Sequence, residues 1–214
     1  MHMKSKVIVY MIVSALLVLS TGVSAENASK TVTDKKLAID VAGSRVNWLG
    51  KKPAGEHVGY VKLSSGELLL NKNEVTGGSF VIELNTITNT DLKDEGMNSK
   101  LVGHLKSADF FDVAKYPTAR FVITKVTRLP GTAVSDAKAT HRIEGDLTIK
   151  GITKRIGFDA TISILNGKVA ASTADFTIDR TQWGVNYQSK SIFSELKDQF
   201  IYDDMTLSIE LVSK

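Results

Sequence analysis

Over most of positions 43–213 apolar and polar residues alternate with a period of two. FVIEL sets Phe80, Ile82 and Leu84 on one face and Val81 and Glu83 on the other. RIEGDLTIKG groups Ile143, Leu147 and Ile149 with Gly145, opposite Arg142, Glu144, Asp146 and Thr148. RIGFDATISIL aligns Ile156, Phe158, Ala160, Ile162 and Ile164, and MTLSIEL aligns Met205, Leu207, Ile209 and Leu211. Strands with one dry and one wet face belong to antiparallel sheets. KGITK (150–154) and LNGKV (165–169) carry tight-hairpin signals, and Gly77-Gly78 marks a bend or bulge. These runs predict about eight strands, near 43–52, 57–70, 75–86, 118–129, 139–150, 153–165, 168–178 and 204–213.

One stretch breaks the alternation. Met97, Leu101, His104, Leu105 and Ala108 recur at helical spacing, with Asn98 or Ser99 as candidate N-caps. Ser107 or Asp109 would cap a further turn carrying Phe110 and Phe111, before Tyr116-Pro117 returns the chain to a strand. The expectation is a short helical insertion docked by its apolar stripe.

Eight amphipathic strands can stack as a sandwich or close as a barrel, and closure removes the exposed edges. At about eight strands a barrel holds its own side chains or one small or elongated guest. Alternation alone leaves a filled and a hollow interior equally open.

The N-terminus changes the picture of where this domain works. Lys4 and Lys6 precede an apolar run, Val7–Leu19, and Val23-Ser24-Ala25 fits a cleavage site. Residues 1–25 therefore read as a signal peptide, too short in its apolar part to span a bilayer. The polar stretch 26–36 reads as a flexible leader and 37–214 as one domain. The expected location is periplasmic or secreted, with no stable membrane span after cleavage. Loss of Lys4 and Lys6 brings the formal charge of +4 closer to neutral. No basic run points to nucleic acid. Zero cysteines exclude disulfides, thiolate metal sites and a cysteine nucleophile.

Several blocks resemble the YceI-like family: SRVNWLGKKPAGEHVGYVKLSSGELLL (44–70), GGSFVIEL (77–84), GHLKSADFFDVAKYPTARF (103–121), IEGDLTIKGITKRIGF (143–158) and FTIDRTQWGVNY (176–187). The resemblance covers nearly all of the chain after the leader, in order. It implies an all-β, extended, eight-stranded antiparallel lipocalin-like barrel with a short helical insertion. It also implies an apolar lumen that takes a polyisoprenoid or similar long-chain amphiphile, such as an isoprenoid quinone, polyprenyl phosphate, fatty acid or amide, for carriage or sequestration.

Candidate chemistry is sparse. A zinc site needs three or four ligands at about 2.0–2.2 Å, and His57, His104 and His141 lie far apart in sequence without an HExxH motif. No GxSxG, Ser-x-x-Lys or phosphate loop occurs. The expectation is a binding protein that needs no cofactor or metal, with an enzyme using His57 and His104 as acid and base, or a filled structural barrel, as alternatives. Trp48, His57, Phe80, Phe121 and Phe158 are the expected lumen residues on the early and central strands, with Ile143 and Leu147 beside them. Leu101, His104, Leu105, Phe110 and Phe111 form the expected lid, with Trp183 and Tyr187 as further aromatic candidates. Arg120 and Arg180 are candidate headgroup ligands, although Arg180 beside Asp179 suits a structural ion pair or backbone anchor better. An exposed strand edge would permit a homodimer.

Overall fold

The computed structural model describes residues 34–130 and 139–214. Residues 1–33, the stretch read as a signal peptide and most of that read as leader, lie outside the described residues. The strands are β1 (Lys35–Ala38), β2 (Arg45–Lys52), β3 (Gly55–Asn71), β4 (Glu74–Glu83), β5 (Thr118–Arg128), β6 (His141–Ile149), β7 (Ile152–Leu165), β8 (Lys168–Thr173), β9 (Phe176–Asp179) and β10 (Asp204–Val212). Among the described residues one α-helix, α1 (Glu95–Lys106), interrupts them.

Hydrogen-bonded neighbours run β3, β2, β10, β8, β7, β6, β5, β4, and β4 pairs back onto β3. The result is a closed eight-stranded antiparallel barrel, the architecture that the alternation and the resemblance imply. The dry faces point inward: Phe80, Ile82, Ile143, Leu147, Phe158 and Ala160 are all buried.

Two strand positions are filled by broken strands, which the alternation did not show. β3 is 17 residues long. It pairs with β2 along 55–62 and with β1 along 67–70. Lys35 and Lys36, read as the end of the leader, already pair with Leu70 and Leu69 in this sheet, and Leu37, the first residue of the predicted domain, is buried opposite Leu68. The predicted strand 168–178 likewise breaks at 174–175, with β8 pairing the end of β10 and β9 its beginning.

The turns follow the expected chemistry. Lys150-Gly151 and Asn166-Gly167 all have positive φ (49°, 75°, 51° and 75°), the geometry of two-residue hairpins that match strand twist. Near Gly77-Gly78 the β3–β4 register shifts between Leu69 and Leu70, leaving Thr76 as the extra residue of a bulge.

The helix starts earlier than the predicted caps. Asp94 is the N-cap, its carboxylate accepting the Met97 N–H at 2.8 Å. Asn98 does other work: its amide donates to the carbonyls of Asn89 and Leu92 at 3.0 and 3.1 Å, tying the helix to the connection before it. Met97 faces out, while Leu105 is buried against the core.

Candidate functional site

The barrel is hollow. A cavity of about 410 Å³ runs through it. Its middle is lined by aliphatic side chains and by a row of phenylalanines. Phe80 on β4 lies 6.5 Å from Phe121 on β5, Phe121 5.5 Å from Phe158 on β7, and Phe158 4.6 Å from Phe176 on β9, between ring centroids. All four rings border the cavity. The strand between Phe121 and Phe158 contributes Gly145, where a Cβ would sit 2.4 Å from the Phe121 ring and 2.5 Å from the Val122 carbonyl. Only glycine leaves that ring its place.

The charged lining residues collect at one end, where the β2–β3 hairpin, α1 and the β9–β10 connection meet. Lys51, Lys52, His57, His104, Arg180 and Asp204 all border the cavity there. Lys51, Lys52, Tyr202 and Asp204 are exposed, so this end is the mouth. The residues read from sequence as a lid come together here: Leu101, His104 and Leu105 from α1, with Phe110 and Phe111 just beyond, all line the cavity. The His104 ring meets Phe110 edge-on at 5.3 Å and Tyr187 at 4.5 Å. Lys150, in the β6–β7 turn, donates to the carbonyls of Phe110 and Gly184, pinning the clasp to the wall.

Arg180 is the internal clamp of this end and is 4% exposed. Its guanidinium donates to four carbonyls: Val185 at 2.6 Å, Tyr187 at 3.0 Å, Ile201 at 3.1 Å and Tyr202 at 3.2 Å. Burial holds its pKa below the usual arginine value, and the Asp203 and Asp179 carboxylates offset this only in part. Burial pushes the Asp203 carboxyl up, but hydrogen bonds from Ser189 and Ser191 and the Arg180 charge leave it below the usual range. Four of the five Arg180 N–H groups are spent on the backbone, the structural-anchor role, while the side chain also borders the cavity. Arg120 is not placed to be a headgroup ligand, because it is exposed on β5 between two inward residues, Ala119 and Phe121. Trp183 is a second correction. It is 1% exposed, does not border the cavity, and donates its indole N–H to the Leu147 carbonyl at 3.0 Å. It packs the wall from behind.

Trp48 and His57 do reach the cavity. Trp48 donates its indole N–H to Thr88 O at 3.1 Å. The connection after β4 continues alongside the first half of β3, with Thr88 N–H and Thr90 N–H donating to the carbonyls of Tyr60 and Val58. It comes so close that a Cβ on Gly59 would lie 1.9 Å from Thr88 O. This connection delivers Asp91 to His57, whose Nδ1 lies 2.8 Å from Asp91 Oδ2. Burial pushes the Asp91 carboxyl up, and hydrogen bonds from Val58 N–H, His57 and Asn89 more than reverse this, down to about 2. The sequence reading missed Asp91 and Asn89, which sit in a loop with no periodic signal. It also missed Phe176, which the spacing to Ile178 would have found. His57 and His104 have separate partners, Asp91 and Asp109. Among the described residues no group of three His, Cys, Asp or Glu side chains is placed to hold a metal ion.

Comparison with known proteins points the same way. The YceI-like domain matches residues 37–213. The UPF0312 protein of Pseudomonas putida strain W619 is 37% identical over 87 residues, 38% of this chain and 42% of the relative. That of Pseudomonas savastanoi pv. phaseolicola is 45% identical over 60 residues, 28% of each chain. The matched part thus spans less than half the length of these relatives. Burkholderia cenocepacia BcnA superposes with a TM-score of 0.62 at 20% identity, over 82% of this chain and 99% of its own. A polyisoprenoid binding domain from Saccharophagus degradans gives 0.56 at 12% identity, over 83% and 97%. At these identities the structural likeness establishes the fold.

Proposed function

The chain belongs to the YceI-like family, and on that premise we propose that its barrel binds one long-chain amphiphile, a polyisoprenoid or isoprenoid quinone-type lipid, with the tail in the lumen and the headgroup at the mouth. The observation that carries this reading is the apolar cavity of about 410 Å³, open at its mouth. Its size falls among ligand pockets of about 300–1,000 Å³. A hydrocarbon tail in it gains roughly 25 cal/mol for each Å² removed from water, so shielding the tail is the whole mechanism. The polyisoprenoid binding domain of Saccharophagus degradans, which shares the barrel, supports the same ligand class. The signal-peptide pattern supports export, and with it carriage or sequestration of lipid in the periplasm or outside the cell.

Native mass spectrometry of the purified mature protein, followed by lipid extraction, tests this. The expected result is a co-purifying long-chain species released intact on denaturation. A protein that stays empty when offered such lipids would overturn the proposal, and chemical turnover of the bound lipid would replace binding with catalysis. The same spectrum reads whether the protein is a homodimer.

A further inference from the structure

His57 is held too firmly for a residue that only fills space. It lies on β3 beside the hairpin, and its ring borders the lumen at the mouth. Asp91 sits behind it and takes the Nδ1 hydrogen bond at 2.8 Å. The other Asp91 oxygen accepts the Val58 N–H at 2.8 Å and the Asn89 side-chain amide. Asn89 is fixed in turn: it donates to Val58 O at 3.0 Å and accepts the Leu92 N–H at 3.0 Å. Asn98 of α1 donates to the Asn89 carbonyl at 3.0 Å. Three chain segments, β3, the connection after β4 and α1, therefore converge to orient one imidazole.

That orientation has a chemical consequence. An ionised Asp91 can only accept, so the shared hydrogen sits on Nδ1. In the neutral ring this leaves Nε2 as a lone-pair acceptor, and no described residue hydrogen-bonds to it. A buried or half-buried acceptor at the end of an apolar tunnel discriminates among ligands by what it would be left facing. A hydroxyl satisfies it, an ether oxygen does not, and a phosphate oxygen sets acceptor against acceptor.

We propose that the mouth is a hydroxyl-headgroup subsite, in which His57 Nε2, held by Asp91, accepts a hydrogen bond from the O–H of a long-chain alcohol or phenol. This rests on the lipid-binding reading above and narrows it to one headgroup chemistry. His57 touches the ligand, and Asp91 is a positioning residue.

The test uses the mature protein in mildly alkaline buffer and three probes with the same tail: geranylgeraniol, its methyl ether and its monophosphate. Binding is followed by tryptophan emission, since Trp48 borders the lumen. The expected result is an alcohol held about tenfold tighter than the ether, the worth of one hydrogen bond. In His57→Phe and Asp91→Asn that ratio falls towards one. An ether that binds as tightly as the alcohol, or a phosphate that binds more tightly than it, overturns the subsite while leaving the lipid-binding reading intact. Equal weakening of all three probes in His57→Phe would reduce the residue to a packing role and also overturn it. If the wild type binds none of the three, the lipid-binding reading fails and the subsite with it. The wild-type ratio needs no variant, so a poorly folding His57→Phe does not protect the proposal.

Discussion

The waist of the barrel and its mouth are built from different forces. At the waist, Phe80, Phe121, Phe158 and Phe176 follow one another around the wall, and shape decides everything, down to the missing Cβ at Gly145. At the mouth, Arg180 grips four carbonyls and Asp91 grips His57, with the aromatic clasp laid over them. A wall of packed rings is indifferent to pH and unforgiving of volume. A hydrogen-bonded rim tolerates volume and responds to charge. The division suits a container: the waist excludes water from a tail, and the mouth holds a fixed shape while staying open to a polar group.

The sharpest way to break this comparison is to remove the clamp. Arg180→Met leaves four carbonyls, one buried and three part-buried, without this donor and the Asp203 carboxylate without its cation. Breaking a buried, hydrogen-bonded charge typically costs about 3–5 kcal/mol. Urea unfolding should show a loss of that order, and Arg180→Lys should recover little, because a point charge cannot reproduce the planar fork. A loss under about 1 kcal/mol would mean that the mouth, like the waist, is held by packing.

The waist answers to the opposite change. Gly145→Ala adds one methyl group where Phe121 already lies, and overpacking of this kind costs about 1–3 kcal/mol. The loss should persist at every pH and salt concentration at which the protein folds. Next in size comes the clasp. Phe110→Ala removes the ring that meets His104, Tyr187 and Phe111 and lies under the Arg180 guanidinium, 5.6 Å away. Each such contact carries about 0.5–1.5 kcal/mol beyond burial. Bound lipid should therefore leave at least tenfold faster from Phe110→Ala than from His104→Ala in a lipid-exchange assay. Equal rates would show that the mouth is not gated by the clasp.

These two regions were not equally legible in the sequence. The waist was, because each of its strands repeats an apolar residue at every second position, and a period of two survives any detail of pairing. Phe80, Phe121, Ile143, Leu147 and Phe158 could be placed inside before any topology was known. The broken strand positions could not, since alternation records which face is dry but not which neighbour a strand has. The lid was half legible: helical spacing located Leu101 and Leu105, and the turn after them the phenylalanine pair, but the true cap, Asp94, lay just upstream of the apolar stripe. The mouth was mostly hidden. His57 and Asp91 are 34 positions apart, and their meeting depends on a connection that follows β3 beyond the end of β4. Arg120 and Arg180 are chemically identical in sequence. One alternates outward from a strand and the other turns inward at a strand end, and only the fold separates them.

The smallest expected effect belongs to the pair that the sequence concealed best. Asp91 is held down to about 2 from an ordinary 3.8 by hydrogen bonds that outweigh its burial. A carboxyl whose folded pKa is depressed adds stability that is complete above its unfolded pKa and is lost as pH falls towards the folded value. The loss should therefore run from just above pH 3.8 down to about pH 2. With 31% of the side chain exposed, solvent screening reduces the contribution to the order of 1 kcal/mol. Asp91→Asn should lower stability by that amount at neutral pH and flatten the acid limb of the stability curve. Gly145→Ala should instead shift the whole curve down without changing its slope. If the two variants give curves of the same shape, charge is not what distinguishes the mouth from the waist, and the clamp at Arg180 must be reinterpreted as packing too.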